Sequence, residues 1–336
     1  MTNFSDRYFI GDGRNYLHNS GFEINSRTLP ITSTGYTSDR WVTGSNGAVA
    51  WSANVSTTSP VDDIRLSHAI EITTADTSIA ATDYLVFLQR MEGYDFLPFV
   101  GRTGTVSFWV RSSVTGVYSL SARSGSLDMS YVAQYTINEA DTWEYKKIVI
   151  PFNYSGGTWD YTTEKGLELT WALMCGSTYQ TTPNTWAASN YIATAEQANF
   201  AATIGNTFYI AGPKLELGSI ATPYILPDLG QEFQKCMRYR EYIYLSADAL
   251  SAGTGAGNYY FWIYYQVRKR IIPTITVASA RVYLSTAGWR SATDATSDYT
   301  PNVVGSRMHF VDSANSDYTA GRCGLIDGTF TINAEL

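Results

Sequence analysis

Hydrophobic and polar residues alternate along most of the chain, in short runs separated by residues typical of turns. In VSFWVRSS the side chains of Val106, Phe108 and Val110 fall on one face, and YVAQYTI repeats the pattern from Tyr131 to Ile137. Alternation with a period of two indicates a strand with one buried face. Further runs of this kind begin at His68, Tyr84, Thr142, Leu167 and Thr207.

No helical pattern separates these runs, so the strands should pair mostly antiparallel and bury their apolar faces between two packed sheets. We predict a short N-terminal segment at 1–14 and a β-sandwich at 15–228. Pro223 and Pro227 interrupt strand pairing near the end of this sandwich. The rest of the chain, 229–336, is predicted to form a smaller C-terminal β domain.

The C-terminal domain should contain one short helix, because Phe233, Cys236 and Met237 have helical spacing. Strands dominate the remainder of this domain. The run NYYFWIYYQV is aromatic on both faces. It is therefore either a central buried strand or a strand whose second face packs on another subunit.

Composition agrees with a folded, aromatic-rich β protein. Apolar residues make up 44% of the 336 residues and charged residues 16%, and the chain contains 25 Tyr and 9 Trp. The net charge is −7, with 13 basic and 21 acidic residues up to Asp228. An acidic surface repels phosphate backbones, and the basic run Arg268–Arg270 is short, so we expect no nucleic-acid binding.

The three cysteines, Cys175, Cys236 and Cys323, lie too far apart in sequence for a CxxC motif and are predicted to be small core residues. The first twenty residues contain no apolar stretch typical of a signal peptide. No run of about 18 apolar residues is present either. We therefore expect neither a secretion signal nor membrane insertion.

Catalytic chemistry has little support in the sequence. The histidines His18, His68 and His309 are isolated, and no GxSxG or HExxH motif occurs. A glycan-cleaving enzyme could use two carboxylates, and the local candidates are Asp160 with Glu164 and Asp62 with Asp63. Carboxylates in such loops usually form turns, so we expect a protein that is not an enzyme.

Two loops resemble ligand motifs only superficially. Gly253–Asn258, GTGAGN, precedes a strand instead of a helix, so it is interpreted as a hairpin connection and not as a phosphate-binding loop. Asp312–Asp317, DSANSD, lacks the glycine and distal glutamate of a Ca²⁺ loop. It is interpreted as a turn.

Sugar binding needs flat aromatic faces together with amide or carboxylate groups, because a pyranose is apolar on its faces and polar at its edge. Three turn-rich segments supply both kinds of group. The alternative interpretation is that each ring fills an end of the core, since Trp and Tyr are mostly buried. The candidate carbohydrate-binding residues are Trp159, Asp160, Tyr161, Tyr179, Trp186, Tyr191, Trp289 and Tyr299. The strand residues Trp41, Trp109, Trp143 and Trp171 are assigned to the core.

Several segments, in order along the chain, resemble a family of bacteriophage tail-fibre and receptor-binding proteins. The matching segments are NYLHNSGFEINSR, YTSDRW, FLQRMEG, TVSFWVRSSVTGVYSL, TWEYKKIVIP, GSTYQTTPNTW, NTFYIAGPKLELGSIATPY, CMRYREYIY and FTINAEL. The resemblance implies a jelly-roll sandwich related to carbohydrate-binding modules. It also implies a homotrimer on a virion appendage, made in the host cytoplasm and used for attachment to the host.

Related sandwich modules often hold a structural calcium ion with an acidic residue near the start and another late in the last strand. Asn19 and Glu23 occupy the first position here, but the late position, Tyr209–Gly212, has no carboxylate. A hard cation takes six to eight oxygen ligands. The sequence therefore argues against a calcium site, and we expect no cofactor.

The leading hypothesis is a non-catalytic virion protein that binds host surface polysaccharide and docks on other virion proteins. One alternative is a capsid-decoration or collar protein, which would use the same sandwich only for protein contacts. The other alternative is a polysaccharide depolymerase. Localisation on the particle separates the first two hypotheses, and release of oligosaccharide from host polysaccharide would identify the third.

Overall fold

A computed structural model describes residues 13–251, 258–284, 288–291, 294–299, 302–311 and 323–336. The chain divides into two compact units. The first contains the residues up to Glu232 together with Leu336, and the second contains Phe233–Glu335. The domain boundary predicted after Asp228 lies four residues before this division.

The first unit is an antiparallel β-sandwich of two sheets, as the fold-class prediction requires. The seven-stranded sheet has the order β1-β2-β5-β10-β7-β8-β11, and the five-stranded sheet has the order β3-β4-β12-β6-β9. The strand bounds are β1 Gly35–Tyr36, β2 Trp41–Asn46, β3 Ala50–Ser56, β4 Ser67–Thr74, β5 Tyr84–Glu92, β6 Thr103–Ser112, β7 Gly116–Ser124, β8 Ser130–Ile137, β9 Glu144–Pro151, β10 Lys165–Cys175, β11 Trp186–Ala187 and β12 Thr207–Leu217.

The core lies between the two sheets and follows the predicted alternation. Val106, Phe108 and Val110 are fully buried, and the inward residues of β8 are buried as well. Trp41 stacks on Phe87, with ring centroids 4.8 Å apart. Packing of such large rings excludes water from much apolar surface, which is the main favourable term in folding. Trp41 and Trp171 are fully buried, as predicted.

The core assignment of Trp109 and Trp143 is wrong. Both residues are only partly buried, and Trp109 contacts Tyr145 with ring centroids 5.3 Å apart. Tyr145 is exposed. On β6 the neighbours Phe108 and Val110 point inward, so the alternation of the strand turns Trp109 to the outer face.

The second unit is a single seven-stranded antiparallel sheet in the order β16-β15-β19-β13-β14-β18-β17. Its core contains Phe261, Ile263, Phe330 and Ile332. The strand bounds are β13 Arg240–Ser251, β14 Asn258–Tyr264, β15 Thr274–Leu284, β16 Gly288–Ser291, β17 Asp294–Tyr299, β18 Gly305–Val311 and β19 Cys323–Asn333.

The other face of this sheet carries exposed aromatic side chains. Trp262 and Tyr264 are 51% and 73% exposed, and their rings stack with centroids 6.2 Å apart. Tyr242 and Tyr244 on β13 are exposed as well. We call these four residues the aromatic face. The prediction that NYYFWIYYQV is a strand buried on both faces is therefore wrong.

Helices are few in the described residues. The predicted helix is present as α2, Leu229–Met237, and a four-residue helix, α1, spans Gly93–Phe96. Short 3-10 segments occur at Leu97–Phe99, Ser177–Tyr179 and Phe200–Ala202. Among the residues described, no helix is long and apolar enough to cross a membrane.

Three sequence predictions concern residues that the structure describes incompletely. Cys175 and Cys236 are buried, as predicted, whereas nothing is described of the Cys323 side chain. Most of the GTGAGN loop lies outside the described residues, although the strands beside it pair antiparallel at Ser251 and Tyr259. The DSANSD segment lies outside them entirely.

Candidate functional site

A cleft in the first unit lies on the outer face of the seven-stranded sheet. Its volume is about 190 Å³. Four strands and the loops around them supply its walls and floor. The lining residues are Thr34, Val42, Gly44, Tyr84, Val86, Leu88, Arg90, Arg123, Leu127, Glu168, Tyr179, Asn190 and Ile192.

The strand alternation explains why β5 lines this cleft. Phe87 points into the core, so Val86 and Leu88 beside it point outward and form part of an apolar floor. Val86 is paired with Gly44 on one side and with Ala172 on the other. These two residues have little or no side chain, and the Thr34 side chain packs closely over Gly44 as part of the cleft wall.

A loop forms one wall of the cleft. Within residues 176–199, Ile192 is buried against the sheet. The amide of Thr194 donates a hydrogen bond to Ser119 Oγ at 3.2 Å, and Gln134 Nε2 donates to Thr194 Oγ1 at 2.8 Å. These bonds attach the loop to β7 and β8 and fix the position of the wall.

Tyrosines border one end of the cleft. The rings of Tyr84 and Tyr179 meet edge to face, with centroids 5.7 Å apart and an angle of 85°. Both rings are partly buried and pack against the apolar floor, as does Tyr36. A tyrosine ring held in this way offers an apolar face and a polar hydroxyl, the combination that sugars need.

Charged side chains border the other end. Glu168 on β10 is paired directly with Arg90 on β5 and with Arg123 on β7. Arg90 Nε donates to Glu168 Oε2 at 2.9 Å, and Arg123 Nη2 donates to Glu168 Oε1. Lys165 Nζ lies 3.3 Å from Glu168 Oε2, and Arg123 Nη1 donates to Asn190 Oδ1. The five residues of this charged cluster therefore come from three strands and one loop.

The positive charges of the cluster keep Glu168 ionised. Burial disfavours ionised Glu168, but Arg123, Lys165 and Arg90 outweigh this effect and lower its pKa to about 2. Burial also lowers the pKa of Lys165. The negative charge of Glu168 raises this pKa, and the positive charges of Arg90 and Arg123 lower it. Glu168 is therefore a permanent anion at neutral pH, held among several cations.

Leu336 provides another contact at this end of the cleft. Arg90 Nη1 donates to the backbone oxygen of Leu336 at 2.7 Å, and Tyr36 Oη donates to the same oxygen at 2.8 Å. The cleft therefore already binds an oxygen acceptor through one guanidinium and one phenol.

Three of the predicted loop aromatics lie together at another place, where they close one end of the sandwich core. We call this set the aromatic end cluster; it consists of Phe96, Phe152, Tyr154, Trp159, Tyr161 and Trp186. Trp159 stacks on Tyr154 with centroids 3.9 Å apart, and its Nε1 donates to the Gly156 carbonyl at 3.0 Å. Trp186 Nε1 donates to the Pro151 carbonyl at 2.6 Å.

This arrangement corresponds to the alternative interpretation, in which the rings fill an end of the core. Asp160 has a local role beside them, because its Oδ1 accepts hydrogen bonds from the Thr162 and Glu164 amides at 2.7 and 3.1 Å. Asp160 thus shapes a turn. Sugar binding by Trp159, Asp160, Tyr161 and Trp186 stays a prediction.

The remaining predicted residues are dispersed. Tyr179 lines the cleft, and Tyr191 follows the cleft residue Asn190, with its amide donating to Ser130 Oγ at 2.9 Å. The prediction that Trp289 and Tyr299 lie in a loop is wrong, because Trp289 lies in β16 and Tyr299 in β17. Both residues pair with neighbouring strands, so this segment extends the sheet.

Sequence reasoning missed most of the cleft residues. Arg90, Arg123 and Glu168 are far apart in sequence, and only the strand order β5-β10-β7 brings them together. One signal was present in YLVFLQRME, where Tyr84 and Arg90 share the parity opposite to the core residue Phe87. That parity assigns them to the outer face.

The suspected calcium position is occupied by a turn that Asn19 holds together. Asn19 Nδ2 donates to the carbonyls of Ile24 and Asp39 at 2.8 and 2.9 Å, and its Oδ1 accepts from the Ile24 amide at 3.0 Å. Glu23 faces Arg65, with 3.8 Å between the charged atoms. Within the described residues, no group of three or more His, Cys, Asp and Glu side chains is arranged to hold a metal ion.

The chain matches no protein-family model and no curated protein. Among solved structures it is similar to the enzymatically active domain of tailspike protein 4 of bacteriophage CBA120, at 14% identity and a TM-score of 0.36, over 60% of this chain and 21% of that one. A family 61 carbohydrate-binding module in complex with β-1,4-galactotriose is 12% identical with a TM-score of 0.30, over 60% and 97% of the two chains.

A family 11 carbohydrate-binding module from Clostridium thermocellum, in complex with a mixed-linked tetrasaccharide, is 13% identical with a TM-score of 0.29, over 58% and 100%. The chain spans about a fifth of the length of the tailspike domain that it matches. TM-scores below 0.5 are too low to assign a function, so the function has to be argued from the cleft itself.

Proposed function

We propose that this protein binds carbohydrate in the cleft on the outer face of its seven-stranded sheet. The observation that carries the proposal is that one cleft has aromatic rings at one end and charged and polar groups at the other. Partly exposed rings of Tyr84 and Tyr179 border one end, and the charged cluster, which includes Asn190, borders the other. A pyranose presents apolar faces to such rings and hydroxyls to such polar groups.

The cleft also has the form that reversible sugar binding requires. Its walls are fixed by strand pairing and by the hydrogen bonds of the 176–199 loop, so little ordering accompanies binding. At about 190 Å³ it is smaller than the roughly 300–1,000 Å³ of pockets for drug-sized ligands. This size suits a short stretch of an oligosaccharide.

We further propose that binding is not accompanied by catalysis. Glycoside hydrolysis usually needs two carboxyl groups, one of which is protonated when the reaction begins. Glu168 is the only acidic residue among those that line the cleft, and its pKa is lowered to about 2 by the cations around it. A carboxylate that stays ionised cannot donate a proton to a leaving group.

The biological role that we propose is host adsorption by a bacteriophage appendage. The ordered sequence segments that resemble tail-fibre proteins support this role, and a homotrimer docked on other virion proteins would present three clefts. Several identical weak sites on one particle raise avidity by factors of roughly 10² to 10⁴. The exposed aromatic face of the second unit offers an apolar surface for such assembly.

The test combines a glycan array with adsorption of purified protein to bacterial cells. We expect a restricted set of glycans to bind, and we expect the same soluble glycans to block adsorption to the cells. Absence of binding to every glycan and every cell type would contradict the proposal. Steady release of oligosaccharide from a bound polysaccharide would show instead that the protein is a depolymerase.

A capsid-decoration or collar protein is the second candidate, because the aromatic face favours contact with another protein chain. Gold-labelled antibody on intact particles separates the two roles. Labelling of the tail tip supports adsorption. Labelling of the head or neck, with no adsorption by the purified protein, supports the structural role.

A further inference from the structure

The charged cluster contains more positive than negative charge. Counting side chains alone, Arg90, Arg123 and Lys165 each contribute one positive charge and Glu168 contributes one negative charge, which leaves an excess of two. Glu168 is the only acid among the residues that line the cleft. The surrounding unit is acidic as a whole, so this cluster is a local reversal of charge.

The cluster is also largely buried, which makes the missing negative charge costly. The side chains of Arg123 and Glu168 are 6% and 3% exposed. Arg123 Nε is buried without a hydrogen-bond partner among the residues that the structure describes. Buried charges and buried donors without partners are unfavourable, so an additional anionic acceptor would stabilise the site.

We infer that the cleft selects an acidic glycan, whose sugar carboxylate binds beside Arg123 and Lys165 while a ring of the sugar contacts Tyr84 or Tyr179. The inference rests on the proposed carbohydrate-binding function and specifies its ligand class. Both Arg90 and Arg123 already donate hydrogen bonds, Arg90 to Leu336 and Arg123 to Asn190, Glu168 and Thr170. The carboxylate is assigned to Arg123 and Lys165 because Arg123 lines the cleft with its Nε unpartnered among the described residues, and Lys165 Nζ, which can make three hydrogen bonds, donates to Glu168. Guanidinium and carboxylate form strong, charge-assisted hydrogen bonds.

The acidic surface elsewhere on the unit does not cancel this preference. Charges separated by more than about 8 Å are largely screened at physiological ionic strength. The three cations lie within direct reach of one carboxylate, so they dominate the field at this end of the cleft.

The inference is tested with matched pairs of polysaccharides. Polygalacturonate, hyaluronan and polysialic acid are each compared with their carboxyl-reduced forms by calorimetric titration of the full chain. Charge-assisted hydrogen bonds contribute about 1.5–3 kcal/mol, which corresponds to roughly 10- to 100-fold in affinity. For at least one pair we expect the acidic form to bind at least tenfold more tightly, and this advantage should shrink at high salt.

Lys165→Gln should remove most of the preference for the acidic form. Lys147→Gln is the matched control, because it removes one positive charge from an exposed position on β9 of the other sheet. The control should leave the preference unchanged. If Lys165→Gln does not fold, Lys165→Met replaces it, because an unbranched apolar side chain fills the same partly buried position without the charge.

The outcomes separate this inference from the proposed function. Equal binding of acidic and reduced forms, lost on Tyr84→Ala, would overturn the acidic preference and leave carbohydrate binding in place. Equal losses in Lys165→Gln and Lys147→Gln would show that the preference reflects overall charge, which also overturns the inference. Failure of every acidic, reduced and neutral glycan to bind would overturn both.

Discussion

The ring of His68 stacks on the ring of Phe87 inside the sandwich, with centroids 4.3 Å apart and an interplanar angle of 18°. Burial lowers the pKa of His68 from 6.5 to about 3. Its Nε2 lies 3.2 Å from Thr43 Oγ1, a contact that a neutral imidazole can make. His68 is therefore a neutral core residue at physiological pH.

This burial predicts a pH dependence of stability. The unfolded chain protonates His68 near pH 6.5 and the folded chain only near pH 3, so the unfolded state binds more protons between these values. The contribution of His68 is therefore complete above pH 6.5 and is lost as the pH falls. Between pH 7 and pH 5 the free energy of unfolding should fall by about 2 kcal/mol from this residue.

The measurement is urea unfolding of the wild type and of His68→Gln between pH 7 and pH 5. The difference between the two proteins cancels the titration of all other groups that both share. We expect the wild type to lose stability relative to the variant as the pH falls. Parallel curves would show that His68 is not held neutral in the core.

Trp159 supports the end of the core in the structure, so Trp159→Ala should destabilise the protein. It stacks on Tyr154 and Phe96 within the aromatic end cluster. A fully buried Trp→Ala change costs about 3–5 kcal/mol, and because Trp159 is only partly buried we expect roughly 2–4 kcal/mol. Thermal unfolding measures this loss, and glycan affinity should stay unchanged.

The matched control for this prediction is Trp109→Ala. Trp109 is also partly buried, but it lies on the outer face of the five-stranded sheet and contacts Tyr145. We expect a smaller loss of stability there. If Trp159→Ala instead weakens glycan binding and leaves the melting temperature unchanged, Trp159 belongs to a binding loop, as its sequence environment predicts.

If the aromatic face of the second unit holds the proposed trimer together, polar substitutions in it should dissociate the trimer. Changing Trp262 and Tyr264 together to Ser should reduce the molar mass in solution from trimer to monomer, because exposed aromatic residues of this kind usually anchor protein interfaces. Light scattering coupled to size-exclusion chromatography measures the mass. Tyr94→Ser, at an exposed position of the first unit, is the control. A wild-type protein that is monomeric at all concentrations would contradict the trimer.

Alternation in the sequence was sufficient to predict the sandwich, because residues such as Phe108 and Val110 lie on the same face of their strand and that face has to be buried. The same parity assigns Trp109 to the outer face, whereas its place within a strand pattern alone led to the core assignment, which is wrong. The cleft could not be predicted in this way. Glu168 meets Arg90 and Arg123 only through the order of three strands, and a single sequence does not specify which strands are neighbours.

Loop composition alone does not distinguish an aromatic ring that closes the core from one that lines the cleft. Trp159 and Trp186 lie in polar, turn-rich sequence, yet their rings return to the core because the open end of a sandwich exposes apolar side chains that need cover. Tyr179 has the same kind of sequence environment and lines the cleft. Whether such a ring covers the core or lines the cleft depends on where its loop crosses the sandwich.

The most direct test of the account is a titration of glycans identified by array binding into the wild type and into the Tyr84→Ala, Tyr179→Ala double variant. Loss of these aromatic contacts should make the double variant bind at least tenfold more weakly at a temperature well below its melting transition, which is lowered because two partly buried rings are removed. Tyr94→Ala, an exposed tyrosine away from the cleft lining, should bind normally. Undiminished binding by the double variant would contradict the assignment of the cleft as the carbohydrate site.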